Sequence, residues 1–169
     1  KVTNSQSVPL LLYDSETNER VYTRDMLVVS GIFDGDPMHY IVNHWPSRRG
    51  GGDKSNFRLL AANRCRSLVD SILAIQKDAK IIVMGDLNDD PIDESVAVGM
   101  KSSGKIEDLK ENELYNAMSP LFKNGIGTLA YRGKWNLFDQ MLLTQPLVKK
   151  DSRGYRFLSA KVYNPSYLI

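Results

Sequence analysis

Apolar and β-branched residues run from Val8 to Tyr13 and again from Val21 to Gly31, with the turn-rich stretch Asp14 to Glu19 between them. That pattern predicts two strands joined by a hairpin-like connection. Asp34-Gly35-Asp36-Pro37 predicts a further turn. From Met38 to Trp45 a strand is predicted in which Tyr40, Val42 and His44 share one face and His39, Ile41 and Asn43 the other. Pro46 to Lys54, with Gly50, Gly51 and Gly52 in succession, reads as a loop, after which Ser55 is placed to cap a long helix. Leu59, Ala62, Cys65, Val69, Ile72 and Leu73 recur at helical spacing as far as about Asp78, which leaves Arg58, Arg64, Arg66 and Asp70 outward.

The nearly continuous apolar run Lys80 to Gly85 has the character of a strand covered by helices on both faces. Beyond it the pattern predicts a polar loop, a weak helix over Ile106 to Met118, and a hairpin from Thr128 to Leu143 that turns at Arg132-Gly133-Lys134. Strand, helix and buried strand in succession define a mixed α/β layered domain. No repeat or low-complexity tract divides the chain, so residues 1–169 read as one domain.

Composition narrows the partners only a little. With 42% hydrophobic residues the chain can bury a core, and its charge of +2, from 22 basic and 20 acidic residues, gives it no strong electrostatic footprint for long-duplex nucleic acid. No apolar run reaches the ~18 residues of a membrane span. A single cysteine, Cys65, excludes an internal disulfide and a cysteine-rich zinc site.

Three places carry candidate chemistry. Gly85-Asp86-Leu87-Asn88-Asp89-Asp90-Pro91 follows the buried strand; if the strand continues that far, Asp86 and Asn88 point the same way, a carboxylate that activates water beside a carboxamide that fixes it or a phosphate oxygen. The same residues also compose an Asx-rich turn. Asn43-His44-Trp45-Pro46-Ser47-Arg48 ends the earlier strand, with His44 able to donate to phosphate and Arg48 to bind it bidentately, while His39 reads as structural and Arg49 as solvated surface. Asp139 lies in the apolar stretch Trp135 to Leu143, and a carboxylate buried there needs a donor network or a histidine to pair with.

In this order, His44, then Asp86 with Asn88, then Asp139, these residues resemble the endonuclease/exonuclease/phosphatase superfamily of DNase I-like nucleases, apurinic endonucleases, sphingomyelinases and inositol polyphosphate phosphatases. The phrases NHWPSRRGG, IIVMGDLNDDP and GKWNLFDQMLL are similar to a bacterial branch of it, over about Tyr22 to Phe157. The resemblance implies a two-sheet α/β sandwich and Mg²⁺- or Mn²⁺-dependent hydrolysis of a phosphoester, nucleic acid among the possible substrates. It implies that His44 contacts the phosphate, Asp86 activates or positions water, Asn88 holds that water or a phosphate oxygen, and Asp139 orients a histidine.

The family also carries an early-strand Asn and Glu, the Glu a principal metal ligand, and a closing Ser-Asp-His; neither has a match in this sequence. The resemblance therefore implies an incomplete sandwich, cut at both ends, whose principal metal ligand lies outside the chain and which is inactive alone. Cut edges leave strands unpaired or apolar surface bare, open to association. The competing reading is a catalytically silent module that binds phosphate or nucleic acid on the same scaffold, and a weaker one is a lipid phosphodiesterase.

Overall fold

The computed structural model describes residues 1–14, 16–48 and 55–168. The chain forms β1 (Val2–Val8), β2 (Leu12–Tyr13), β3 (Arg20–Val21), β4 (Met26–Phe33), β5 (Asp36–His44), the long helix α1 (Ser55–Ile75) and β6 (Ile81–Asp86). A π-helical turn at Ser95–Gly99 precedes β7 (Ser102–Ser103), β8 (Leu114–Asn116), the short helix α2 (Ser119–Lys123), β9 (Leu129–Tyr131), β10 (Lys134–Asn136) and β11 (Asp139–Leu143). Arg49 and the three glycines of the expected loop lie outside the described residues.

Seven strands make one sheet in the order β1-β4-β5-β6-β11-β8-β7, while β2–β3 and β9–β10 are separate two-stranded ribbons. The β5–β6 pair is parallel, and α1 is the crossover that parallel pairing requires. Of the two large sheets expected, the described residues contain this one.

The faces alternate as the period of two demands. Ile41, Ile81, Val83 and Leu142 turn to α1, where they bury against Ala61, Ala62, Cys65 and Val69 together with Leu10 and Leu12. Burial pushes the Cys65 thiol up to about 12, so it stays a neutral packing group. On the other face Met38, Tyr115 and Leu143 meet Leu147 and Phe157, and among the described residues no α-helix lies over them. That departs from the expectation of helices on both sides of β6. A segment around 155–163 crosses part of this face, held by the Phe157 amide donating to Leu147 O at 2.6 Å. A cavity of about 590 Å³ remains between segment and sheet, bordered by Tyr40, Ile82, Met141 and Asp139. Leu27, Phe33 and Met141 stay exposed on the same side.

The start of this segment is clamped to the sheet. Lys80, buried, pairs with Asp36 and donates to the Arg153 carbonyl, and the Tyr155 amide donates to the same Asp36 carboxylate at 2.6 Å. The Lys80 ammonium holds the Asp36 carboxyl below its ordinary 3.8. A lowered folded pKa means that the stabilisation is complete above 3.8 and disappears as pH falls through the lower folded value. Acid titration will therefore release the segment first. The Tyr155 amide resonance should shift below the ordinary carboxylate range while the Val69 methyl signals stay in place; simultaneous loss of both would refute the clamp.

Three sequence expectations are corrected here. The weak helix over Ile106–Met118 is instead turns followed by β8, because Leu114 and Asn116 face the α1 side of the sheet and Tyr115 the other. The hairpin from Thr128 stops at Asn136, and the chain then joins the large sheet as β11. Arg58 and Arg66 are buried, not outward, because the π-helical turn packs on α1 so closely that a Cβ on Gly99 would meet Ala62 Cβ at 2.9 Å. Arg66 is satisfied there by Asp70 and the Met100 carbonyl. No helix among the described residues is long and apolar enough to cross a membrane.

Candidate active site

β5, β6 and β11 are neighbours, and their register decides which side chains meet. His44 pairs with Asp86 across β5–β6, and Asp86 pairs with Asp139 across β6–β11. All three residues lie on the sheet face away from α1, at the same end. His44 Nε2 stands 3.6 Å from Asp86 Oδ2, and both side chains are partly open to solvent, at 42% and 35%. That separation is beyond a hydrogen bond, so the pair gains an ion-pair attraction only when the imidazole is protonated.

What brings β6 so close to β5 is Gly85. Its φ of +129° and its contact with the β5 backbone exclude any side chain, since a Cβ there would lie 1.9 Å from the Asn43 carbonyl oxygen. The ladder then runs one step past the strands, with Trp45 N donating to Asp86 O at 2.9 Å and Leu87 N to Phe138 O at 2.8 Å.

Asn88 is not in line with Asp86 along a strand. β6 ends at Asp86, and Asn88 takes a left-handed φ of 53°. Its amide donates to Asp86 Oδ1 at 2.9 Å, an Asx turn, and its Nδ2 donates to the Trp45 carbonyl at 2.9 Å. One Asp86 oxygen is thereby committed to the loop while the other faces His44. The turn reading of Gly85–Pro91 is realised.

Arg48, expected to bind phosphate, is well occupied. It lies 4.6 Å over the Phe138 ring, donates from Nε to Asn88 O at 2.8 Å and from Nη2 to Asp89 at 3.0 Å, and also pairs with Asp93 and, at 3.6 Å, Asp90. A phosphate would have to compete with three carboxylates for it.

Asp139 is exposed, which corrects the expectation of a buried carboxylate, and among the described residues its side chain has no hydrogen-bond partner. Of the two histidines in the chain, His44 faces Asp86, whereas His39 sits on the α1 side, where it is bonded to Ser30 Oγ at 2.7 Å and lowered in pKa by burial. His39 is thus the structural residue expected.

Sequence reasoning missed the residues beneath the site. Asp89, buried, accepts from Arg48 and from Ser95 Oγ at 2.6 Å and ion-pairs with Arg58 Nε at 2.7 Å. Asp90 accepts the Leu137 amide at 2.7 Å, its carboxyl raised by burial. Gln140 Nε2 donates to the Asp89 carbonyl at 2.6 Å, and Asn116 Nδ2 to Gln140 Oε1 at 2.7 Å. Aspartates in a turn motif carried the signal, but their arginine partners are too far along the chain to be read from it.

A family model for the endonuclease/exonuclease/phosphatase family matches residues 1–169. The chain belongs to the endonuclease/exonuclease/phosphatase family. Solved structures with a similar fold include truncated Caenorhabditis elegans TDP2, at 18% identity and a TM-score of 0.58, covering 87% of this chain and 54% of that one. The human Nocturnin catalytic domain with bound sulfate matches at 20% identity and TM-score 0.57 over 87% and 49%. Sphingomyelinase C from Streptomyces griseocarneus matches at 14% identity and TM-score 0.54 over 89% and 52%. The fold is thus the DNase I-like fold, and this family member spans about half the length of those structures. No curated protein matches the chain at a significant level.

The family implies a divalent cation. Among the described residues no group of three or more His, Cys, Asp or Glu side chains converges to hold one, so the residues present do not form a closed cation site.

Proposed function

We propose that this chain supplies His44, Asp86, Asn88 and Asp139 to the hydrolysis of a phosphodiester. The observation that supports the reading is the register of three neighbouring strands, which puts one imidazole and two carboxylates side by side on one face. Asp86 Oδ2 is the general base that takes a proton from water, and His44 donates to a non-bridging phosphate oxygen. Asn88 positions Asp86 through the turn. Asp139, the second carboxylate, would orient a histidine that none of the described residues supplies beside it. Mg²⁺ or Mn²⁺, the cofactor that the family implies, would supply Lewis-acid chemistry at a phosphoryl oxygen, and the described residues of this chain do not by themselves complete a site for it. A TDP2 of D. rerio has been seen with a single-strand DNA product, which favours nucleic acid among phosphodiesters.

Hydrolysis of bis-p-nitrophenyl phosphate with Mg²⁺ or Mn²⁺, by this chain and by the longest product of its gene, tests the reading. Asp86→Asn should lower the rate by ~10²–10⁴-fold, the usual worth of a positioned base, at unchanged thermal midpoint. Hydrolysis that survives Asp86→Asn would remove the assigned base. No hydrolysis by either polypeptide would favour the silent binding module.

A further inference from the structure

The ribbon β9–β10 is the most conspicuous feature the catalytic reading does not use. Among the described residues its strands pair with each other and with no strand of the large sheet. Tyr131 is 57% exposed and Trp135 59% exposed, a large apolar area to leave in water. Register places Tyr131 opposite Lys134 and Trp135 opposite Ala130, so the two rings stand on opposite faces of one thin ribbon. At the tip, Arg132 and Gly133 take φ of 49° and 75°, the two successive positive values of a tight hairpin turn. The Arg132 guanidinium lies 5.2 Å from the Tyr131 ring. An arm built for packing would bury its rings; this one presents them, with two cations beside them.

The arm is tied to the candidate site at its base. Thr128 N donates to Asn136 O at 2.8 Å, and Thr128 Oγ1 accepts from the amides of Phe138 and Asp139, each at 3.3 Å. A Cβ on Gly127 would meet Asn136 O at 2.5 Å and Trp135 Cβ at 3.0 Å, so glycine lets the chain fold back under the ring.

We infer that this ribbon is a base-stacking arm that holds single-stranded nucleic acid beside Asp139. Trp135 and Tyr131 stack on nucleobases, and Arg132 and Lys134 neutralise adjacent phosphates. Stacking on exposed rings tolerates any base because every base has a π-face, and the near-neutral charge of the whole chain suits a short local contact over a long duplex footprint. The inference rests on the phosphodiester reading for its choice of polymer. It is tested without catalysis.

Trp45 is fully buried, so Trp135 is the accessible one of two tryptophans. In EDTA, an oligothymidylate of ~10 nucleotides should quench the emission of the wild-type chain. The same titration should leave Trp135→Phe, which reports through Trp45 alone, unchanged. By fluorescence anisotropy of a labelled oligonucleotide, Trp135→Ala and Tyr131→Ala should each weaken binding by about 5- to 100-fold, with Trp135→Phe close to wild type and all thermal midpoints retained. Absence of quenching at saturating oligonucleotide, or alanine variants that bind as wild type does, would overturn the inference. Hydrolysis of a base-free phosphodiester is scored separately: quenching without hydrolysis removes the catalytic reading alone, and hydrolysis without quenching removes the arm alone.

Discussion

Gly85→Ala will leave the chain unfolded or destabilised by more than about 4 kcal/mol, in the exceptional range for a single substitution. The added methyl would sit 1.9 Å from the Asn43 carbonyl oxygen and 2.9 Å from its carbonyl carbon, and both are backbone atoms of the neighbouring strand β5. Neither can rotate away. Relief requires β5 and β6 to separate, which breaks the His44–Asp86 register and the parallel ladder at once. Gly35→Ala is the control, since Gly35 also has a positive φ, of 85°, but nothing within 4 Å of its added Cβ. It should cost only the conformational term, roughly 1–2 kcal/mol. Urea unfolding of both variants checks this: similar losses in the two would mean that φ, not the close approach, is what Gly85 is for.

Asp89→Ala should cost about 3–5 kcal/mol, because it removes the counter-charge of a buried arginine. Arg58 is 6% exposed at its side chain, and Asp89 is its ion-pair partner. Nε and Nη1 of Arg58 make no hydrogen bond among the described residues, so the charge of Asp89 is what offsets the side chain there. Arg48, 39% exposed, loses less. Replacing both charges tests the cause: Asp89→Leu with Arg58→Met should recover most of the loss, as apolar substitution of a whole buried pair usually does. Urea midpoints of the two single variants and the double one decide it, and strictly additive losses would show that the pair is not coupled.

How much of this was legible in the sequence depended on the range of the interaction. The alternation in β5 was readable, and with it the face shared by Tyr40, Val42 and His44, since a strand's period is local. The core face of α1 was readable for the same reason. Arg58 and Arg66 were misread because what covers the helix, the turn at Ser95–Gly99, carries no pattern that announces its position. Asp139 was expected to be buried because its neighbours Phe138 and Leu142 are apolar; in fact it starts its strand on the open face, where charge costs little. His44, Asp86 and Asp139 could be named one by one from their motifs. The resemblance, which sets them on one phosphate, implies that they converge; the strand register that does it could not be read, because it depends on β11 joining β6 and not continuing a hairpin with β9, a choice made by tertiary pairing.

The hydrogen bonds Trp45 N–Asp86 O and Leu87 N–Phe138 O close the ladder just past the site residues. Amides so placed exchange with solvent only when the central strands part, whereas those of a two-stranded ribbon outside the large sheet exchange through small local openings. Deuterium uptake should therefore divide the molecule sharply between the His44–Asp86 register and the Tyr131–Trp135 arm. On the proposed reading, the groups that act on a substrate are held by the closed ladder, whereas the ribbon that stacks on it opens locally.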